Sequence, residues 1–435
     1  MFSSISFSWF RKPLYDARVL RPVEAAFPQL DFTEIKHTWW QVRTWPASPS
    51  SVFLIMDTLP SELLSNIASF LSLSDLSSFR LACRRFTYAS LHLLLQHLCV
   101  LDTLDDLEEL FSCLSLDDKS RYTESLTLLH GRWPVCDFQR WATHPLQLNE
   151  SLPQTASSPK WTDAFQRYRL FVENEARRTT HDDLTRLKKV LELFPRLRQL
   201  TVSHLHTKGW RPVGPQQYIH LREQIWMSPC ISDSESLGAI AQSVLTLLPT
   251  LSSVQHLAID GRLNLSSITD ITPIIQITSL KMKAVQLASW DRERFLSVIH
   301  MFPSLRELAL GFTSTEVLVP VDKISLPFLK RLSLHRLYVS ETALLRVLER
   351  NPQVSLHLSD ATLVRGHWDT FCHRARRMGK GADITLEGYM NGLDPTCVHL
   401  SIEGDRKYRL LRFLENGEAQ WPFRARWIAP RVFYV

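Results

Sequence analysis

The segments FPRLRQLTV from Phe194, FPSLRELAL from Phe302 and LPFLKRLSL from Leu326 repeat one chemical plan, and this plan restricts the fold more than any other feature of the chain. In each, a proline at 195, 303 or 327 is followed five positions later by Leu200, Leu308 or Leu332, with leucines in the order LxxLxL. Proline lacks an N–H and its ring collides with the preceding turn, so it ends a helix. The alternation that follows buries one side-chain face of a short strand. Helical spacing of apolar residues is found at Leu184, Leu187, Val190, Leu191 and Phe194, at Leu237, Ile240, Val244 and Leu248, at Phe295, Ile299 and Phe302, and at Leu344, Leu345 and Leu348. The predicted unit is helix, proline, strand. Further strand positions fall at Leu257 with Ile259, Leu280 with Met282 and Leu356 with Leu358, so that Leu257, Leu280, Leu308, Leu332 and Leu356 are separated by 23, 28, 24 and 24 residues. Units of roughly 20 to 29 residues cannot bury their apolar faces alone and must stack, at least about three together.

A second pattern occupies residues 59–90, LPSELLSNIASFLSLSDLSSFRLACRRFTYAS. Leu63, Leu64, Ile67, Phe70 and Leu71 recur at three- and four-residue steps, predicting one apolar stripe on a helix that begins near Ser61, with Ser61 as its cap. Ser72, Ser74 and Asp75 interrupt that helix and can cap a second, in which Leu76, Phe79, Ala82, Cys83 and Phe86 share a face. With the run Leu91, Leu93, Leu94, Leu95 and Leu98, the unit has about forty residues, a size at which a lone core is usually insufficient. Something else must cover its stripe.

Leu59-Pro60, Glu62-Leu63, Ile67, Leu71, Asp75-Leu76, Arg80-Leu81, Cys83-Arg84 and Phe86 resemble, in order and spacing, the F-box motif of ubiquitin-ligase substrate receptors. The resemblance covers roughly residues 57–92, and the repeat array resembles that of the leucine-rich-repeat class of F-box proteins, without an evident asparagine or cysteine ladder position. It implies an N-terminal helical F-box hairpin followed by an irregular leucine-rich-repeat-like α/β solenoid. It also implies that Leu59, Pro60, Glu62, Leu63, Ile67, Leu71, Asp75 and Leu76 bind a Skp-type adaptor of a cullin-RING ligase while the repeats hold a protein substrate. The alternative is an interaction scaffold that is not coupled to ubiquitin transfer.

The expected domains are an extension at 1–55, the F-box at 56–100, a linker helix at 101–122 and the substrate-binding array at 123–435. In the extension, Trp39, Trp40 and Trp45 stand near Pro46 and Pro49 without a clean period, which predicts a flexible or weakly docked segment. The linker carries Leu101, Leu104, Leu107, Leu110, Phe111 and Leu114 between Asp102, Asp105, Asp106, Glu108 and Glu109, an acidic amphipathic helix with its carboxylates in solvent. Residues 131–160 and 204–233 have the composition of long loops, and Trp133, Trp141, Trp210, Tyr218 and Trp226 within them are candidate substrate contacts, since large aromatics are favoured interface anchors. An equal reading has these aromatics pinning the loops onto the array. Arg374, Arg376, Arg377 and Lys380 read as a solvated basic loop, and Trp421, Phe423, Trp427, Phe433 and Tyr434 as a cap over the last repeat.

No catalytic constellation is legible. The chain has only 13 glycines and no glycine-rich phosphate loop, HExxH or GxSxG pattern. His204 and His206 lack a third ligand, and Cys372 beside His373 forms no dyad, because adjacent side chains point apart. No cofactor, metal or catalytic residue is therefore expected. Seven scattered cysteines without metal-ligand spacing suit a reducing compartment, and a net charge of +6 in 435 residues is too small to indicate nucleic acid or a membrane surface. The expected location is cytoplasmic, nuclear or both.

Overall fold

The computed structural model describes residues 59–115, 118–148, 159–205, 216–229, 237–269, 272–286, 292–313, 318–393, 400–416 and 421–423. The expected extension at 1–55, together with Trp210, His206, Trp427, Phe433 and Tyr434, lies outside them. The chain divides into two units, one comprising residues up to Leu98 with Asp118–Thr123, the other Cys99–Asp117 with Glu124 onward.

The first unit is helical. Its helices are α1 (Ser61–Ser69), α2 (Leu73–Ala82) and α3 (Arg84–Gln96), joined by a short 3-10 turn at Asp118–Tyr122. Three helices stand where the sequence suggested a two-helix hairpin, because Cys83 is fully extended (φ −158°, ψ 166°) and separates Phe86 from α2. Ser72 caps α2 by accepting from the Asp75 N–H at 3.2 Å, and its hydroxyl donates back to the Asp75 carboxylate at 2.6 Å. At α1 the N-cap is Pro60, and no side chain accepts there, so Ser61 is not the cap. Leu64, Phe86 and Ala89 form the small core with Leu59, Phe79 and Cys83 against it, and the Phe79 and Phe86 rings stack at 4.3 Å.

The second unit mixes helices and strands around a parallel sheet. Strand β1 (His97–Leu101) leads into α4 (Leu104–Ser115); Leu101 therefore belongs to a strand, not to the acidic helix. Then follow β2 (Ser125–His130), α5 (Phe138–Leu148), α6 (Pro159–Ala176), α7 (Thr180–Glu192), β3 (Gln199–His204), α8 (Gln216–Ile225), α9 (Gly238–Leu247), β4 (His256–Asn264) and β5 (Ser279–Gln286). The chain continues through α10 (Arg292–His300), β6 (Glu307–Phe312), β7 (Arg331–His335), β8 (Tyr338–Ser340), α11 (Glu341–Arg350), β9 (Ser355–Ser359) and β10 (Thr362–Arg365). It closes with α12 (Trp368–Arg377), β11 (Ile384–Gly392), β12 (Leu400–Ile402) and α13 (Asp405–Asn416). Helices thus fill much of both stretches expected to be loops, and Arg374–Arg377 end a helix instead of forming a loop.

The sheet order is β1-β2-β3-β4-β5-β6-β7-β9-β11-β10-β8, with β12 antiparallel on β11. From β2 to β11 the main path keeps one register over its first rungs, with shifts beyond Ile259 in β4–β5 and beyond Met282 in β5–β6. Leu126, Leu200, Leu257, Leu280, Leu308, Leu332, Leu356 and Ile384 lie side by side across it. Two residues on, Leu128, Val202, Ile259, Met282, Leu310, Leu334, Leu358 and Leu386 form a second row, and no member of either row is more than 2% exposed. Register is fixed because a one-residue slip would turn an entire row to the opposite face. On the buried side, α7, α9, α10 and α11 add Val190 and Leu191, Val244 and Leu245, Phe295 and Ile299, and Leu344 and Leu348. Asn351, at the end of α11, donates to the Ile324 and Val347 carbonyls and accepts from the Leu326 N–H, closing one of the inter-strand turns with a buried side chain.

Candidate functional site

On α1 the apolar stripe splits between two faces. Leu64 and Ala68 turn into the small core, whereas Leu63 is 42% and Phe70 44% exposed, with Ile67 and Leu71 half-buried beside them. Pro60 and Glu62 are exposed and Leu59 half-buried. The Leu59 carbonyl accepts from the Arg85 guanidinium at 2.6 Å, tying the entry of α1 to α3. Asp75 is engaged in capping α2. Leu76, expected at the adaptor contact, is 3% exposed and is an interior residue of this unit. The difference has a simple cause: the α2 stripe is used internally, and the α1 stripe is wider than the core it can reach. Leu81 and Tyr88 are further apolar surface on this unit, 52% and 77% exposed.

This geometry, a three-helix unit with part of its α1 stripe facing solvent, coincides with the segment that a family model described as F-box-like matches, residues 56–101. The chain carries an F-box-like domain. A search of curated proteins returns no match. The F-box-like domain suggests an adaptor-binding module of the kind found in SCF-type ligases, and F-box proteins are generally non-catalytic substrate receptors.

The candidate substrate contacts are distributed differently from expectation. Trp141 and Tyr218 are interior residues, 0% and 1% exposed, and do not project from a rim. Trp141 meets Trp161, Phe165, Tyr168 and Trp226, and its indole N–H donates to the Ile225 carbonyl at 3.0 Å. Trp226 stacks on Trp141 at 6.1 Å, nearly parallel, and is half-buried. The aromatics hold α5, α6 and α8 together, a role that differs from both projecting at a rim and pinning loops onto the array. Trp133 packs edge-on against Phe171. Unlike the others it lines a cavity of about 360 Å³.

That cavity holds the charged cluster the sequence reading missed. Asp102 was expected in solvent but is 7% exposed. Its Oδ2 accepts from His130 Nδ1 at 2.8 Å and its Oδ1 from Arg178 Nη2 at 3.0 Å. Arg178 also donates to the Asp102 carbonyl, to Glu175 at 2.7 Å and to Asp183 at 2.8 Å. Glu175 in turn accepts from the Leu104 N–H at 2.9 Å, and Thr103 accepts from the Asp106 N–H, so two exposed donors at the start of α4 are satisfied. Burial alone would raise the Asp102 carboxyl, but the His130 hydrogen bond and the Arg178 charge outweigh it and hold the group below the usual carboxylate range. Burial pushes the neighbouring Asp106 carboxyl up, against its hydrogen bond from Thr103. The available signal in the sequence was weak: an aspartate directly after an apolar strand, and an arginine directly after a helix.

His204 ends β3, buried, with its ring 6.4 Å from that of His130. Cys372 is fully buried in α12, and burial with the nearby Asp369 charge pushes its thiol far above the ordinary range, so it is held as a thiol and not as a nucleophilic thiolate. Among the described residues no group of three or more His, Cys, Asp or Glu is placed to hold a metal ion, and no helix is long and apolar enough to cross a membrane.

Proposed function

We propose that the chain is the substrate-recognition subunit of an SCF-type ubiquitin ligase, docking on a Skp-type adaptor through its F-box-like domain and holding a protein substrate on a leucine-rich-repeat-like solenoid. The observation that carries this reading is the solvent-facing part of the α1 stripe, Leu63 exposed with Ile67 and Leu71 half-buried, inside the segment that matches F-box-like domains. Large apolar side chains grouped on one face of a small unit mark a contact surface. A typical interface buries roughly 1,600 Å² in all, within reach of one face of three short helices. Leu59, Pro60, Glu62, Leu63, Ile67 and Leu71 form the contact in this reading, with Asp75 capping α2. The array's contribution is proximity: a receptor raises the effective concentration of substrate lysines near the ligase's catalytic partners without doing chemistry itself.

The test is co-purification of the full chain with a Skp-type adaptor beside a Leu63→Asp, Ile67→Asp variant. Leu63 is already exposed, so the charge is tolerated in the free chain but must be buried at the contact. Retention of the adaptor by the native chain and its loss by the folded variant support the reading. Failure of the native chain to bind sinks it and leaves an interaction scaffold not coupled to ubiquitin transfer.

A further inference from the structure

The cavity beside Asp102 combines fixed charges with apolar wall. Its charged walls carry three carboxylates, Asp102, Glu175 and Asp183, against Arg178 and an exposed Arg132. Four of the five Arg178 N–H groups are engaged, Nε with Asp183, both of Nη1 with Glu175 and the Asp102 carbonyl, and one of Nη2 with Asp102, so a single Nη2 hydrogen is left over. With His130 Nδ1–H given to Asp102, its Nε2 is an acceptor in the neutral ring. The second oxygen of Asp183, whose side chain is 32% exposed, is another. Val172, Leu187 and Ile240 supply apolar wall for an aliphatic stem. The Trp133 indole N–H is buried without an acceptor among the described residues and belongs to the same lining. An orphaned buried donor is costly, so a ligand that brings an acceptor satisfies it.

We infer that this cavity binds the cationic side chain of a peptide segment, arginine in preference to lysine, with an adjoining peptide carbonyl available to the Trp133 indole. The volume, about 360 Å³, is at the small end of the range for specific ligand sites, and the mixture of apolar wall with a few fixed polar groups is typical of them. Arginine is favoured because its planar fork of donors matches an acceptor-rich wall, whereas lysine offers a single strongly hydrated point charge. Taken with the receptor role proposed above, on which this last step rests, the segment is a basic recognition element of the substrate.

The probe is Nα-acetyl-arginine N-methylamide, titrated into the full chain labelled for indole nitrogen resonances, with Trp133→Phe assigning the Trp133 signal. Capped citrulline, of the same shape without the charge, capped lysine and capped glutamate are the comparisons. Capped arginine should shift the Trp133 resonance, capped lysine should bind more weakly and capped citrulline at least tenfold more weakly, with capped glutamate silent; losing one charge-assisted contact in Asp183→Asn should cost roughly tenfold in affinity. Ala239→Phe, at an exposed residue of the lining, should block binding without altering the melting curve. Equal binding of arginine and citrulline, survival of binding in Ala239→Phe, or no shift with capped arginine overturns the inference. Adaptor retention is measured on the same samples. If the native chain binds capped arginine but not the adaptor, the receptor reading fails alone; if it binds the adaptor but not capped arginine, this inference fails alone.

Discussion

Replacing Arg178 by Met removes a cation that engages three carboxylates at once, while keeping an unbranched side chain of similar length. The shortest charge pairs involved are 2.7 Å to Glu175, 2.8 Å to Asp183 and 3.0 Å to Asp102, and the Arg178 and Asp102 side chains are 13% and 8% exposed. At 3 Å and an effective dielectric constant of about 20, one such pair is worth roughly 5 kcal/mol before desolvation. Removing one partner of a buried pair typically costs about 3–5 kcal/mol, because the other charge is left buried. The lower end applies here, since His130 stays on Asp102 and the Leu104 N–H on Glu175.

The pH dependence provides a second check on that number. In the native chain the Asp102 carboxyl is held below its unfolded value of about 3.9, so its stabilisation is complete above that pH and is lost only as pH falls through the lower folded value. In Arg178→Met burial is opposed by His130 alone, so the Asp102 carboxyl rises relative to the native chain and the folded variant takes up a proton at a higher pH than the folded native chain does. The variant therefore gains relative stability as pH falls, and its deficit should narrow between pH 7 and pH 5. Urea denaturation of the full chain at both values, followed by circular dichroism, measures this, and the same substitution in an Asp102→Asn background should cost less, because the two residues are coupled. A loss below about 1 kcal/mol at pH 7, or a deficit unchanged at pH 5, would refute the account of the cluster as a tightly coupled, buried charge network.

Two further outcomes follow from the packing. Leu332→Ala empties a position that is 0% exposed in the middle of the first leucine row, and should lower stability by about 3–5 kcal/mol in the same urea measurement without changing the adaptor's retention. Ser72→Ala removes the acceptor for the Asp75 N–H and should cost about 1 kcal/mol, seen as faster amide hydrogen exchange in the first turn of α2.

The positions that the sequence alone determined are those governed by short-range periodicity. The two leucine rows, the helices that precede Pro195 and Pro303, α11 and the Ser72 cap all depend on residues within a few places of one another, and each appears where its spacing demands. The F-box-like segment was legible through the resemblance of its residue order and spacing to a known motif. Periodicity gave the face of α1 but not how much of it the core could cover, so Leu63 and Leu64, adjacent and chemically identical, diverge in exposure only once α3 is packed.

Tertiary structure decided everything that depended on distant partners. Asp102 and Arg178 are 76 residues apart, and Trp141 donates to a carbonyl 84 residues on. Asp102 and Asp105 are three residues apart, yet one is buried in a charge cluster and the other is exposed. Burying a carboxylate requires its cation and its donors to arrive together, and that meeting is made by the fold, not by the residues on either side of it.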